Sequence, residues 1–225
     1  MLGTIVNTST ILAGSVIGSV FKKGLKEKHQ NALFTAMGLA AAGLGINAVV
    51  QNMPKSNYPV LFIVSLALGG LLGTTWDLEN RFQSLADRFS TGQLSKGLST
   101  GILLFCIGTL SILGPIQSAL YGDNTYLLTN ATLDFVTSMV LASTYGIGIA
   151  LTAVVLFCWQ GSIYLLATVL GPFMTADMMT ELSIVGGFLI ACSGLSILNI
   201  KDCKTMNMLP SLVIPIVFCG VMSLL

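Results

Sequence analysis

The fold is decided by residues 135–176, which read FVTSMVLASTYGIGIALTAVVLFCWQGSIYLLATVLGPFMTA. These forty-two residues contain no Asp, Glu, Lys, Arg or His. A helix that crosses the hydrocarbon core of a bilayer needs about 20 apolar residues, so the stretch is long enough for two crossings. The sequence STYGIG at 143–148 supplies glycines for a tight turn between them. We therefore predict a long helical hairpin over 126–171, which is uncharged except for Asp134 near its start.

The composition excludes an ordinary soluble domain. The chain has 225 residues, of which 54% are hydrophobic and only 8% are charged, whereas about a quarter of the residues of soluble domains are charged. The lipid bilayer is therefore an expected partner and nucleic acid is not. The five cysteines show no CxxC spacing, so we expect neither a disulfide framework nor a zinc site, and no cofactor.

Apolar runs predict an all-α polytopic membrane protein that forms a single helical domain over 1–225. The eight predicted transmembrane helices are 2–21, 31–50, 59–76, 98–120, 126–145, 148–170, 182–200 and 208–225. Between the third and the fourth, Leu78, Phe82, Leu85 and Phe89 recur at spacings of four, three and four. This pattern, with polar residues on the other face, predicts an amphipathic helix over 77–96 that lies in the cytoplasmic interface.

Basic residues set the predicted orientation. The first loop reads KKGLKEK at 22–28, and short loops rich in Lys and Arg stay in the cytoplasm. Both termini are then outside, with nine of the ten basic residues in the cytoplasm and Lys55 outside. An alternative makes 135–176 one span and a re-entrant segment, which moves Lys201 and Lys204 to the outside.

Two similar motifs suggest an internal repeat. GSVIG at 14–18 precedes the first cytoplasmic loop, and GGLLG at 69–73 precedes the second. Repeated hairpins over 1–52 and 59–121 are one interpretation, and chance recurrence of a common packing motif is the other. Because such small residues let helices approach closely, we also expect that GxxxG helices could join copies into a homo-oligomer.

The order of motifs along nearly the whole chain resembles a known family. The motifs are MLGTIVNTSTILAGSVIG, GGLLG, LLFCIGTLSILGPIQSAL, LDF, WQGSIYLLA, ELSIVGGFLIACSGLSIL and KTMNMLPSL. In these the chain resembles the YdfK/YqgA-like family of bacterial inner-membrane proteins of unknown function. The resemblance implies a multi-pass helical protein of the bacterial cytoplasmic membrane. It implies no activity and no site residues.

Four polar residues within the predicted spans are candidates for a site, and helix rise places all of them in the outer half of the bilayer. They are Asp134, Gln160, Asn7 and Asn47. Polar side chains at this depth are costly and usually face a partner or a hydrated cavity, so we predict one substrate-binding cluster for a solute or cation, without a defined metal. The alternative is hydrogen bonding that only joins helices. Asp177 and Glu181 are expected in a solvated outer loop.

Three classes of function follow from these features. A buried acid and glycine-rich helices favour a transporter or channel for a small solute or ion. The GxxxG faces and the amphipathic segment support a membrane scaffold or accessory subunit without transport activity. An enzyme is not expected, because the chain offers no paired acids, paired histidines or activated nucleophile near one face.

Overall fold

The computed structural model describes residues 1–20, 26–81, 84, 98, 100–102, 104–106 and 109–222. Within these residues the regular structure is helical and no strand occurs. The α-helices are α1 Leu2–Val20, α2 Glu27–Asn52, α3 Leu61–Trp76, α4 Thr109–Tyr121, α5 Thr125–Tyr145, α6 Thr152–Leu170, α7 Ala176–Ile197 and α8 Val213–Met222. Four 3-10 segments join them: Met53–Lys55, Ile147–Leu151, Gly171–Phe173 and Thr205–Leu212.

Several of these helices can cross a bilayer. By length and composition, five helical segments of the described chain qualify, or six if a bent pair ending at Tyr121 is one span. The predicted number of eight is not confirmed. Apolar α3 has only 16 residues, and α5 is long but carries Asn130, Asp134 and several threonines, which lower its hydropathy. The predicted amphipathic helix lies largely outside the described residues, including Phe82, Leu85 and Phe89.

The uncharged stretch 135–176 contains the end of α5 and all of α6. Gly146 separates them with a φ of 88°, a conformation that glycine adopts without steric cost. Its N–H donates to the carbonyl of Ala142 at 2.9 Å and so closes the last turn of α5. The 3-10 segment Ile147–Leu151 then leads directly into α6.

The chain forms two compact units that are interleaved in sequence. The first unit comprises 1–36 and 81–171, and the second unit comprises 37–80 and 172–225. Helix α2 therefore begins in the first unit and continues in the second.

The first unit is built on the contact between α1 and α5. A Cβ atom at Gly14 would lie 2.5 Å from the carbonyl oxygen of Phe135, and one at Gly18 would lie 2.9 Å from the carbonyl carbon of Met139. Gly3 meets Leu127 at the other end, so the two helices run in the same direction. Glycines are required here because backbone lies against backbone.

Helices α4 and α6 complete the first unit. Gly114 of α4 lies against Leu127 of α5, so these consecutive helices form an antiparallel pair. An apolar core of the first unit is made of Ile11, Phe105, Cys106, Ala153 and Leu156.

The second unit repeats this use of small residues with other partners. Gly69 and Gly73 of α3 lie against Ser211 and Asn207 of the segment Thr205–Leu212. Helix α2 packs on α7, where a Cβ at Gly187 would lie 2.8 Å from the carbonyl oxygen of Gly45. An apolar cluster of Leu61, Met178 and Cys219 closes one end of the unit, with Tyr58 packed on Phe218 at 5.0 Å between ring centroids.

Candidate functional site

Asp134 lies in the middle of α5 on the face that packs on α1. Its side chain is only 4% exposed. Nine residues separate it from the start of α5, which corresponds to about 14 Å along the helix axis. In the predicted membrane span over 126–145, a carboxylate near the centre would cost about 2.5 to 3.5 kcal/mol on insertion scales, which its neighbours must offset.

Amides surround the Asp134 carboxylate. Asn130, one turn earlier on the same helix face, donates through Nδ2 to Oδ2 of Asp134 at 2.8 Å. Asn7 of α1 is fully buried and its amide lies against the same carboxylate. Within the described chain neither polar atom of Asn7 forms a hydrogen bond of ordinary length and angle. The carboxylate thus has amide partners and forms no ion pair with a described residue.

More buried polar groups lie on the buried face of α1 and on α5. Thr4 and Ser15 of α1 are fully buried, and their hydroxyls have no hydrogen-bond partner among the described residues. Ser138 of α5 is also fully buried and donates to the carbonyl of Phe135 at 3.0 Å. We call this row, formed by Thr4, Asn7, Ser15, Asn130, Asp134 and Ser138, the polar seam. Buried polar groups without partners usually mark bound water or ligand.

Gln160 has a different neighbour. It is fully buried in α6, and its Nε2 donates to Oγ of Ser111 in α4 at 3.0 Å. Its Oε1 has no partner among the residues described. Gln160 therefore belongs to the contact of α4 with α6, whereas Asn7 and Asp134 belong to the contact of α1 with α5.

Asn47 lies in the second unit, and its side chain is exposed. The structure thus brings together Asn7 and Asp134 of the four predicted residues, gives Gln160 its own polar partner and leaves Asn47 outside the buried set. Whether any of the four binds a substrate stays a prediction.

Two polar residues of the structure, Asn130 and Ser111, were not among the predicted site residues. Asn130 stands four residues before Asp134, a spacing that places the two side chains on one helix face. That spacing was a usable signal. Ser111 carried none, because its pairing with Gln160 depends on a contact between residues 49 positions apart.

Comparison with known proteins places the chain in a family. The family pattern of DUF554, described as proteins of unknown function, matches residues 2–220. The chain belongs to the DUF554 family. The resemblance predicted from the motifs is thereby confirmed.

Two relatives match over nearly their whole lengths. The chain is 61% identical over 215 residues to the uncharacterized membrane protein YdfK of Bacillus subtilis (strain 168), covering 96% of this chain and 94% of the relative. It is 30% identical over 225 residues to the uncharacterized protein YqgA of Escherichia coli (strain K12), covering 95% and 94%. No solved structure gives a significant match. The first relative and the apolar helices together support a membrane protein.

Proposed function

We propose that the protein transports a small cation or another small hydrophilic solute across the bacterial cytoplasmic membrane through the polar seam. The observation that carries this proposal is the buried acid Asp134, which lies in the predicted membrane span α5 and whose neighbours are amides. An ionisable residue inside a membrane span is expected to serve a function and to face a partner or water.

The neighbours of Asp134 favour a hydrated ligand over simple helix adhesion. If the polar groups only joined helices, they would pair with one another. Instead the buried hydroxyls of Thr4 and Ser15 lack hydrogen-bond partners within the described chain, and Asn7 lies against Asp134 without a hydrogen bond of ordinary geometry. Carboxylate, amide and hydroxyl oxygens suit hard cations.

The other functional classes have less support. The glycines on which a scaffold or a homo-oligomer was predicted, Gly14, Gly18, Gly69 and Gly73, already contact their own chain. We propose no catalytic role, since the seam combines a single acid with amides and hydroxyls. We further propose that both termini lie outside the cytoplasm.

Flux into proteoliposomes tests the proposal, with ²²Na⁺, ⁸⁶Rb⁺ and protons as the probes. Asp134→Asn removes the charge and keeps the size of the side chain, so we expect flux of the transported cation to fall at least tenfold. The matched control is Asp123→Asn, the same change at an exposed acid in the loop before α5. Its flux should equal that of the wild type.

The variant Gln160→Ala distinguishes the effect of losing the neutral Gln160 amide from the effect of losing the Asp134 charge. Because it removes only a neutral contact on α6, it should reduce flux less than Asp134→Asn does. Wild-type flux in a folded Asp134→Asn protein would exclude Asp134 as a site residue. In that case any effect should appear as a lower melting temperature in detergent.

A further inference from the structure

A second buried acid, Glu181, lies in the second unit. Glu181 was predicted to lie in a solvated outer loop. In the structure α7 begins at Ala176, and Glu181 lies in the second turn of this helix. The side chain is 1% exposed. Its Oε1 accepts a hydrogen bond from the hydroxyl of Ser56, while its Oε2 has no partner among the described residues. Burial of an acid is costly unless its charge is paired, coordinates a cation or is neutralised by a proton.

Further oxygen-bearing groups surround Glu181. Asp177 precedes it by one helical turn, on the same face, and is half-buried. Nδ2 of Asn57 donates to Oδ1 of Asp177 at 3.0 Å. The N–H of Tyr58 donates to Oγ of Ser56 at 3.0 Å, which fixes this hydroxyl beside Glu181. Residues 56–58 therefore face both acids of α7.

Apolar side chains cover one side of this group. Met178 lies in the cluster with Leu61 and Cys219, and Tyr58 packs against that cluster. The basic residue next to Ser56 in the sequence is Lys55, and its side chain is exposed. A buried carboxylate in apolar surroundings is stable only when a positive charge or hydrogen-bond donors compensate it, and here one hydroxyl serves one of its two oxygens.

We propose that Glu181 and Ser56 form a binding site for a small monovalent cation, with Na⁺ as the ion to test. One fully buried negative charge matches one positive charge. Asp177, half-buried and held by Asn57, attracts the ion at the entrance. When the ion binds, the Ser56 hydroxyl turns its proton away and offers a lone pair, which a hydroxyl can do without moving its oxygen. This proposal is independent of transport through Asp134.

Hydrogen exchange measured by mass spectrometry tests the site locally. The purified protein in nanodiscs is compared in NaCl and in choline chloride at equal ionic strength. Na⁺ should slow exchange in peptides that cover 52–58 and 176–182. Glu181→Gln should abolish this difference. Asp134→Asn should keep it, so a failure of the proposed transport site and a failure of this site give different results.

Ser56→Ala provides a second variant that retains the acid. It removes one oxygen from the ion, and we expect the Na⁺ concentration for half-maximal protection to rise about tenfold or more. Thr180→Ala is the control, since this hydroxyl donates to the carbonyl of Ala176 in its own helix. It should leave the Na⁺ dependence unchanged.

Three results would overturn the proposal. The first is equal exchange in Na⁺ and choline in the wild type. The second is an Na⁺ response that persists in Glu181→Gln or, if that variant does not fold, is unchanged in Ser56→Ala. The third is protection that follows pH and ignores Na⁺, which would make Glu181 a proton site.

Discussion

The two buried acids are compensated by different residues. Asp134 has the amides of Asn130 and Asn7, whereas Glu181 has the hydroxyl of Ser56. Amide nitrogens can only donate to a carboxylate, so they stabilise its charged form. A hydroxyl can either donate or accept, and it can therefore adapt when an ion arrives. For this reason we name a specific ion, Na⁺, for Glu181 and only a class of solute for the polar seam.

Glu79 gives the protein a pH-dependent stability. It follows α3, its N–H donates to Oδ1 of Asn207 at 2.9 Å, and its Oε2 is enclosed without a partner among the described residues. Burial raises its pKa above the ordinary value of 4.5, the charges of Asp202 and Asp77 raise it further, and Lys204 partly opposes them. The folded state therefore holds this proton more tightly than the unfolded state does.

The sign of the effect follows from the raised pKa. The contribution of Glu79 to stability is fully present below pH 4.5 and is lost as the pH rises through its folded-state pKa. Glu79→Gln should therefore raise the melting temperature at pH 8 and leave it unchanged at pH 4. Because the Glu79 side chain as a whole is only partly buried, solvent screens its charge, and we expect an effect of at most about 1 kcal/mol, or about 2 to 4 °C. Thermal unfolding in detergent measures this difference.

Asp123→Asn controls for the change in net charge, since Asp123 is exposed in the first unit. A wild type that melts above Glu79→Gln at pH 8 would show that the ionised side chain is stabilising.

At the scale of helices, close packing depends on glycines at particular positions. A Cβ at Gly18 of α1 would overlap the carbonyl oxygen of Met139, whereas a Cβ at Gly43 of α2 meets nothing within 4 Å. Gly18→Ala should lower the free energy of unfolding by about 1 to 3 kcal/mol because backbone must move. Gly43→Ala should be neutral or should stabilise by up to about 1 kcal/mol, since alanine favours the helix.

Thermal unfolding of both variants in one detergent checks this prediction. Equal melting temperatures for the two alanine variants would mean that α1 does not rest on α5 as described.

The sequence predicted the helices better than it predicted their ends. The long apolar runs gave α1, α2, α6 and α7 correctly as helices, because a run of 18 or more apolar residues has few other stable structures. The start of α7 was placed too late, at residue 182, because apolarity alone was followed. Thr175 accepts a hydrogen bond from the N–H of Met178 and so caps the helix. That cap, with Asp177 in the first turn, was the signal that Glu181 is helical.

Helix faces decide which polar residues become buried. The buried residues of α2 include Gly38, Ala41, Gly45 and Ala48, at spacings of three, four and three. Asn47 lies off this stripe and is exposed. Asn7 lies on the corresponding stripe of α1 with Gly3, Ile11, Gly14 and Gly18. Depth alone, which grouped Asn7 with Asn47, could not make this distinction, but the periodicity of small residues could have.

At the scale of the whole molecule, the two units could not be foreseen from the sequence. Each combines segments that are far apart along the chain, 1–36 with 81–171 and 37–80 with 172–225. No local pattern encodes such pairings. The predicted repeat of 1–52 and 59–121 stays a prediction, although both GxxxG motifs do pack against backbone within their units.

The directions of helices within each unit bear on the topology. In the first unit α1 and α5 run the same way, and Gln160 with Ser111 and Gly171 with Leu120 show that α4 and α6 also share a direction. In the second unit Gly38 meets Leu198 and Gly45 meets Ala191, so α2 and α7 are antiparallel. The predicted eight-span arrangement requires these same relations, and it places the basic loops in the cytoplasm.

Cysteine labelling from the outside tests that arrangement in a background in which all five cysteines are replaced, since Cys158 is exposed. An impermeant reagent applied to intact cells should label Lys55→Cys and Asp123→Cys, because both exposed loops are predicted outside. Lys26→Cys and Asp202→Cys, also at exposed positions, should react only after permeabilisation. Labelling of Asp202→Cys in intact cells while Lys26→Cys stays protected would support a re-entrant segment within 135–176, because that alternative moves the loop before Thr205–Leu212 outward and keeps the first basic loop inside. Labelling of Lys26→Cys with protection of Lys55→Cys would invert the whole topology, and Asp134 would then face a path that opens to the cytoplasm.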